Sequence, residues 1–229
     1  YASEYCINFN AAKFKCLIIL PNKRRDLRSY LKDCIFTINS QPIDVVQSFK
    51  HLGHVITSSL EDNTDIIARR NDFIGQVNNM LCYFRKLTSR VRYRLFCSYC
   101  TSFYGCELWS LASSCIEDLC ISWRKGVCLA WNLPPSAHCY ILPLICHCLP
   151  VFDEICRRSI NFVRACLSHE SSLIREIAAY GIYFARSESP LGLNAMFCAE
   201  RYHSSLSSIL HASFSDIINL QLRCRPTVM

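Results

Sequence analysis

The chain has 229 residues, 51% of them hydrophobic and 19% charged, and carries a formal net charge of +7. That length and apolar content support one sizeable core or two small ones and exclude a disordered chain. The longest nearly apolar stretch, residues 139–152, is broken by Pro143, His147 and Pro150 and falls short of the roughly 20 apolar residues a membrane-spanning helix needs, so no membrane partner is expected.

In chain order, Tyr5 to Leu20 reads as extended, with the compact apolar run Cys16 to Leu20 predicting a buried strand that stops at Pro21. Asn22 to Lys32, with Lys23, Arg24, Arg25, Arg28 and Lys32, predicts a solvated basic loop or a short helix. Phe36 to Ile38 and Val45 to Ile56 are short runs containing β-branched residues, the second crossed by Gly53, and together they suggest a hairpin. After Ser59 the period becomes helical: Ile66, Phe73, Val77, Met80, Phe84 and Leu87 define one stripe, with Asp62 and Asn63 offering the N-cap.

A second helix is predicted from about Arg90 to Tyr104, ending at Gly105. A third runs from about Ser114 to Trp131, with Ile116, Leu119, Cys120, Trp123, Val127 and Trp131 on one face and Pro134 and Pro135 behind it. Further helices are expected at Asp153 to Leu167, Ser172 to Phe184 and Leu193 to Leu210. The fold class is therefore α+β: short antiparallel strands over residues 1–60, a helical segment over 61–150, and additional helices over 151–229.

The excess charge is N-terminal. Residues 1–110 hold 15 Lys/Arg against 9 Asp/Glu, whereas residues 111–229 hold 10 against 9. A basic half joined to a near-neutral half calls for an anionic partner, nucleic acid ahead of membrane, since no basic amphipathic helix with an aromatic face stands out. The 17 cysteines are odd in number and lie mostly at apolar positions of helical patterns. They predict reduced thiols in an intracellular protein, cytoplasmic or nuclear, rather than a disulfide framework. The chain opens on Tyr1 without a basic segment leading into an apolar run, which reads as a truncated start and not as a signal peptide.

Phe49-Lys50-His51-Leu52-Gly53-His54-Val55-Ile56 resembles the primer-grip hairpin of reverse transcriptases from non-LTR (LINE-type, jockey/CR1-like) retrotransposons, with His51 where that family usually has Tyr. Asn10 and Lys13 match the family's preceding motif. Arg70, Phe73, Asn78, Leu81 and Phe84 resemble its first thumb helix, and Leu95-Phe96, Ser98-Tyr99-Cys100, Tyr104-Gly105 and Leu108-Trp109 its second. Trp123-Arg124-Lys125, Leu133-Pro134, Leu142-Pro143, Leu149-Pro150 and Arg157-Arg158 continue in the family's order, so the resemblance covers about residues 1–165.

The resemblance implies the end of a polymerase palm followed by a thumb, gripping an RNA/DNA primer-template beside the rest of the polymerase. The intact enzyme uses Mg²⁺, held by paired aspartates. No Asp-Asp pair occurs in this sequence, so no catalytic residue and no cofactor is expected in this chain. Expected nucleic-acid contacts are Phe49, Leu52, Gly53, Arg70, and the run Arg85, Lys86, Arg90, Arg92 and Arg94, which has no intervening Asp or Glu.

Each of these residues has a plainer reading. Lys13 is either a helper near the phosphates of an incoming nucleotide or a surface lysine. Arg70 falls inside the apolar stripe, so it either pairs with a carboxylate or the hairpin or reaches a phosphate. Asn71, Asn78 and Arg85 follow a seven-residue step along one flank, fit to track a backbone or merely solvated. Cys97 and Cys100, with His138, Cys139, Cys146, His147 and Cys148, provide ligand types for zinc, but a CxxC inside a helix reads first as packed thiols. The rival functions are thus a domesticated helical interaction module and a small zinc-stabilised binding protein.

Overall fold

In the computed structural model, which describes residues 4–5, 13–19, 35–38, 40–134, 136–138 and 141–211, the N-terminal strands are short and pair two by two. β1 (Lys15–Leu17) runs parallel to β4 (Asp44–Val46), with Cys16 opposite Val45. β2 (Thr37–Ile38) and β3 (Gln41–Pro42) are antiparallel, as are β5 (Ser48–His51) and β6 (His54–Thr57), where Phe49 faces Ile56. The basic segment 22–32 lies outside the described residues, as does Asn10.

Two expectations change here. The β1–β4 pair is parallel where antiparallel strands were expected, and the run that begins at Cys16 is a half-exposed strand ending at Leu17 rather than a buried one. A two-stranded ladder three residues long has no further strand of its own to cover its faces. Lys15 instead pairs with Asp44 across it at 2.5 Å, and the Lys15 ammonium holds the exposed Asp44 carboxyl below its usual pKa.

Chain contacts divide the protein into two compact units, residues 1–65 and 66–229. The later helices share the core of the earlier ones.

That core begins with α1 (Asn63–Phe84), whose Ile66, Phe73, Val77 and Met80 are buried as the stripe predicts. Phe84 and Leu87, the last members of the stripe, are about two-fifths exposed. α2 (Ser89–Tyr99) packs on α3 (Cys115–Trp131). Phe73 meets Phe96 edge-on at 5.8 Å, and Gly126 of α3 leaves room for both rings: a Cβ there would lie 2.9 Å from each.

α2 ends at Tyr99, short of the expected Tyr104. Phe103 (φ 36°) and Gly105 (φ 85°) turn the chain into a 3-10 turn at Cys106–Leu108. Leaving the helix lets Phe103, Trp109 and Leu111 all enter the core, which a continuous helix carrying all three round its circumference would prevent. α3 closes on Asn132 in the left-handed conformation rather than at the prolines.

α4 (Ile141–Cys146) was not expected. α5 (Val151–Leu167) packs against α3, the 3-10 turn, and the helices that follow: α6 (Ser172–Ala179), which runs into a π-helical turn at Tyr180–Phe184, α7 (Pro190–Arg201) and α8 (Leu206–His211). The expected helix from Leu193 to Leu210 is two helices, broken where His203 adopts φ 48°. Asp153 of α5 accepts hydrogen bonds from the Tyr202 hydroxyl at 2.7 Å and from Arg201 Nη2 at 3.2 Å, and the Arg201 guanidinium also covers the Phe152 ring at 4.4 Å. Among the described residues, no helix is long and apolar enough to cross a membrane.

Two glycines give opposite expectations. Gly75 is exposed in the middle of α1 with nothing within 4 Å of an added Cβ, so Gly75→Ala should raise stability by about 1 kcal/mol through helix propensity alone. At Gly192 the added Cβ would meet the Arg186 carbonyl at 2.5 Å and the Gly181 carbonyl at 2.6 Å. Backbone cannot yield there, and Gly192→Ala should lower stability by roughly 1–3 kcal/mol. Denaturant midpoints of the two variants against the parent check both signs.

Candidate nucleic-acid interface

The hairpin β5–β6 turns on Leu52 (φ 47°) and Gly53 (φ 88°). Positive φ at both central residues is the type I′ arrangement, whose twist matches the flanking strands. Leu52 is 77% exposed at the tip, and the Phe49 and His51 rings lie on one face of β5 with centroids 6.5 Å apart. Of the expected contact residues here, Phe49 and Gly53 are half-buried and Leu52 is exposed.

Sequence reasoning missed what fixes this hairpin. Asp65, fully buried in the first turn of α1, accepts the Val55 backbone N–H on Oδ1 at 2.9 Å and holds Oδ2 3.1 Å from His54 Nδ1. A first-turn aspartate reads as a complement to the helix dipole, and nothing local tells that its oxygens face a strand.

The basic run brackets the turn between α1 and α2. Arg85, Lys86, Arg90 and Arg94 are all exposed, and none of them forms an ion pair among the described residues. Arg92 departs from the expectation. It is 8% exposed, its Nη2 donates to Ser89 Oγ at 3.1 Å, and its Nε is buried without a partner. Position 92 lies one turn before Phe96 and two before Cys100, so it shares their inward face and does not present its charge to solvent.

Arg70 donates to Asp118 Oδ2 of α3 at 3.2 Å, so its charge is engaged in a half-exposed pair that joins two helices. Asn71 and Asn78 are exposed along α1, and Arg85 is exposed one residue beyond its end. Lys13 is exposed just ahead of β1. Arg157 and Arg158 both donate to Glu154, and Arg158 also donates to the Ser102 carbonyl at 2.6 Å. Burial acts to raise the Glu154 pKa, and the two guanidiniums outweigh it and hold the carboxyl below its usual value. Arg158 ties α5 to the segment after α2, while Arg157 bonds Glu154 within α5.

Cys97 and His138 are exposed, Cys100 is buried with its thiol pushed up to about 11 by burial and the neighbouring Cys97, and Cys139 lies outside the described residues. Among the described residues, no group of three or more His, Cys, Asp or Glu side chains is placed to hold a metal ion. Compared with protein families, curated proteins and solved structures, the chain matches none.

Replacing Asp65 by Ala removes the acceptor of the half-buried Val55 N–H, a loss of about 1 kcal/mol. The expected readout is local: amide exchange at Val55 and its neighbours in β6 should accelerate in Asp65→Ala, while amides of α3 and α5 keep parent rates.

Proposed function

We propose that this chain is the primer-template-holding part of a non-LTR reverse transcriptase, residues 1–60 ending its palm and 61–150 forming its thumb, and that it performs no chemistry itself. The observation that carries the proposal is the cluster of four exposed cations, Arg85, Lys86, Arg90 and Arg94, about one inter-helix turn without a carboxylate among them. It is supported by the Leu52-Gly53 hairpin and by the order of the short motifs along the chain.

In this reading the four cations neutralise backbone phosphates, a contact indifferent to base sequence. The Phe49 and His51 rings and the exposed Leu52 tip supply an apolar surface for sugars and bases. Arg70 positions α1 against α3 rather than meeting a phosphate. Lys13 keeps its role near nucleotide phosphates only in the presence of the rest of the polymerase. Among the described residues no cluster of carboxylates is placed as two-metal phosphoryl transfer requires.

Anisotropy of a labelled primer-template across a salt series tests the reading. Each phosphate neutralised contributes a log-log slope of about −0.9 on a duplex. Arg85, Arg90 and Arg94 changed together to Ala should reduce the slope by about two to three units and weaken all sequences alike. An unchanged slope would leave the cluster without a function. The chain should also give no nucleotide incorporation on a primed RNA template with Mg²⁺ or Mn²⁺, and incorporation above a boiled control would show that a metal site was overlooked.

A second reading, a helical interaction module, is favoured by one observation. Leu173, Ile177, Tyr180 and Phe184, spaced three and four apart along α6 and the π-helical turn, are each more than 60% exposed. That reading predicts no salt-dependent binding of primer-template at all.

A further inference from the structure

Past Met80 the apolar side chains of α1 run out of core to face. Tyr83 is 82% exposed, and Phe84, Leu87 and Val91, the last on the first turn of α2, are each about two-fifths exposed. The Phe84 carbonyl accepts the Leu87 N–H at 3.1 Å and closes the turn on which these side chains stand. Tyr83 and Phe84 carry the two rings, with centroids 6.5 Å apart and planes inclined at 57°. The exposed Arg85, Lys86, Arg90 and Arg94 alternate with the apolar residues along the same stretch.

None of these four cations forms an ion pair among the described residues. The nearest acidic residues along the chain are Asp72, well back on α1, and Glu107 in the 3-10 turn. Exposure of a ring does not single out this turn by itself. Phe184 is 81% exposed, but the cation beside it, Arg186, is engaged on the Ile182 carbonyl. Only at the α1–α2 turn do open rings and unengaged cations coincide.

Cations alone call for an anion, whereas open ring faces call for a flat apolar partner. A blunt duplex supplies the first and not the second, because its bases cover one another and it presents phosphate. An anionic bilayer would require an apolar face sustained along the helix. On α1 that flank is polar: Asn79 and Gln76, four and seven residues before Tyr83, share its side of the helix and are exposed. Unpaired nucleotides supply phosphate and ring together at every step, and the two amides can donate to and accept from base edges.

We propose that the α1–α2 turn is a binding site for single-stranded nucleic acid, in which Tyr83 stacks on an unpaired base while Arg85 and Lys86 hold the adjoining phosphates. Arg90 and Arg94, four apart on α2, extend the phosphate track. The inference rests on the cations being a nucleic-acid contact and adds which part of a primer-template meets them, the unpaired strand beyond the duplex.

The full chain is titrated by fluorescence anisotropy with a blunt duplex and with the same duplex bearing a short thymidine overhang that carries one 2-aminopurine. The parent should bind the overhang more tightly and quench the 2-aminopurine as its ring stacks. Tyr83→Ala should weaken the overhang complex by about five- to a hundredfold, the worth of one stacked base, and abolish the quench. It should leave the salt slope and the blunt-duplex affinity at parent values, and Tyr83→Trp should restore what Tyr83→Ala loses. Tyr83 stands in solvent, so neither variant disturbs the core. Equal affinity of the parent for the two probes, equal losses on both in Tyr83→Ala, or full quenching in that variant would overturn the proposal. So would binding to vesicles of phosphatidylserine and phosphatidylcholine that Tyr83→Ala weakens while overhang binding is unchanged, which would assign the turn to a membrane surface. Arg85, Arg90 and Arg94 changed together to Ala separate the two claims: a reduced salt slope there, with no effect of Tyr83→Ala on the overhang, keeps the cations as a phosphate contact and removes the stacking site.

Discussion

One side-chain amide organises the larger unit. Asn194 of α7 is buried, accepts the Leu111 N–H on Oδ1 at 3.0 Å, and donates from Nδ2 to the Trp109 carbonyl at 2.8 Å and to Ser159 Oγ of α5 at 3.3 Å. Trp109 and Leu111 are in the core, yet the chain carrying them is neither helix nor strand, and its buried polar groups need partners. Asn194 supplies what a neighbouring strand would. Leaving such groups unmet costs about 1–3 kcal/mol each, so Asn194 couples the chain after the 3-10 turn, α5 and α7 to one another. Gly192, two residues away, belongs to the same arrangement, since only a residue without Cβ lets α7 approach the π-helical turn so closely.

The exposed cations depend on that core for their direction. α2 turns Tyr93 and Phe96 toward Trp131 and Phe73, and this phase leaves Arg90 and Arg94 outward and draws Arg92 inward. Arg85 and Lys86 stand at the end of α1, beyond the last buried member of its stripe, Met80. Packing thereby decides which arginines of one run are available to a partner, although the sequence presents all of them alike.

Periodicity made much of the helical part legible. Ile66, Phe73, Val77 and Met80 on α1, and Ile116, Leu119, Trp123 and Val127 on α3, are buried in the phase their spacing requires. Gly53 marked the hairpin because positive φ is cheap there. The inward phase of Arg92 was readable in principle, since 92, 96 and 100 are four apart, but the charge invited a surface reading. The parallel pairing of β1 with β4 was not legible, because a three-residue strand carries no register signal strong enough to choose a partner. Asp65, Asn194 and Asp153 escaped for a different reason: each is a polar residue whose meaning lies in a backbone or side-chain group on another element, which composition and spacing do not encode. Within the candidate interface, residue types were therefore readable and their orientations were not.

The contact of Asp153 with Arg201 and Tyr202 has a consequence for how the protein comes into being. Synthesis proceeds from the N-terminus, and α5 is complete before Arg201 has been made. During that interval the Asp153 carboxylate lacks its cation and its phenol, and seating it in an apolar interior without them would cost several kcal/mol. α5 must then wait, its acidic first turn kept in water, until the residues through Tyr202 have left the ribosome. Ribosome-bound chains shorter than that would lack both partners of Asp153, so this contact closes with the synthesis of Tyr202 and not with that of α5 itself.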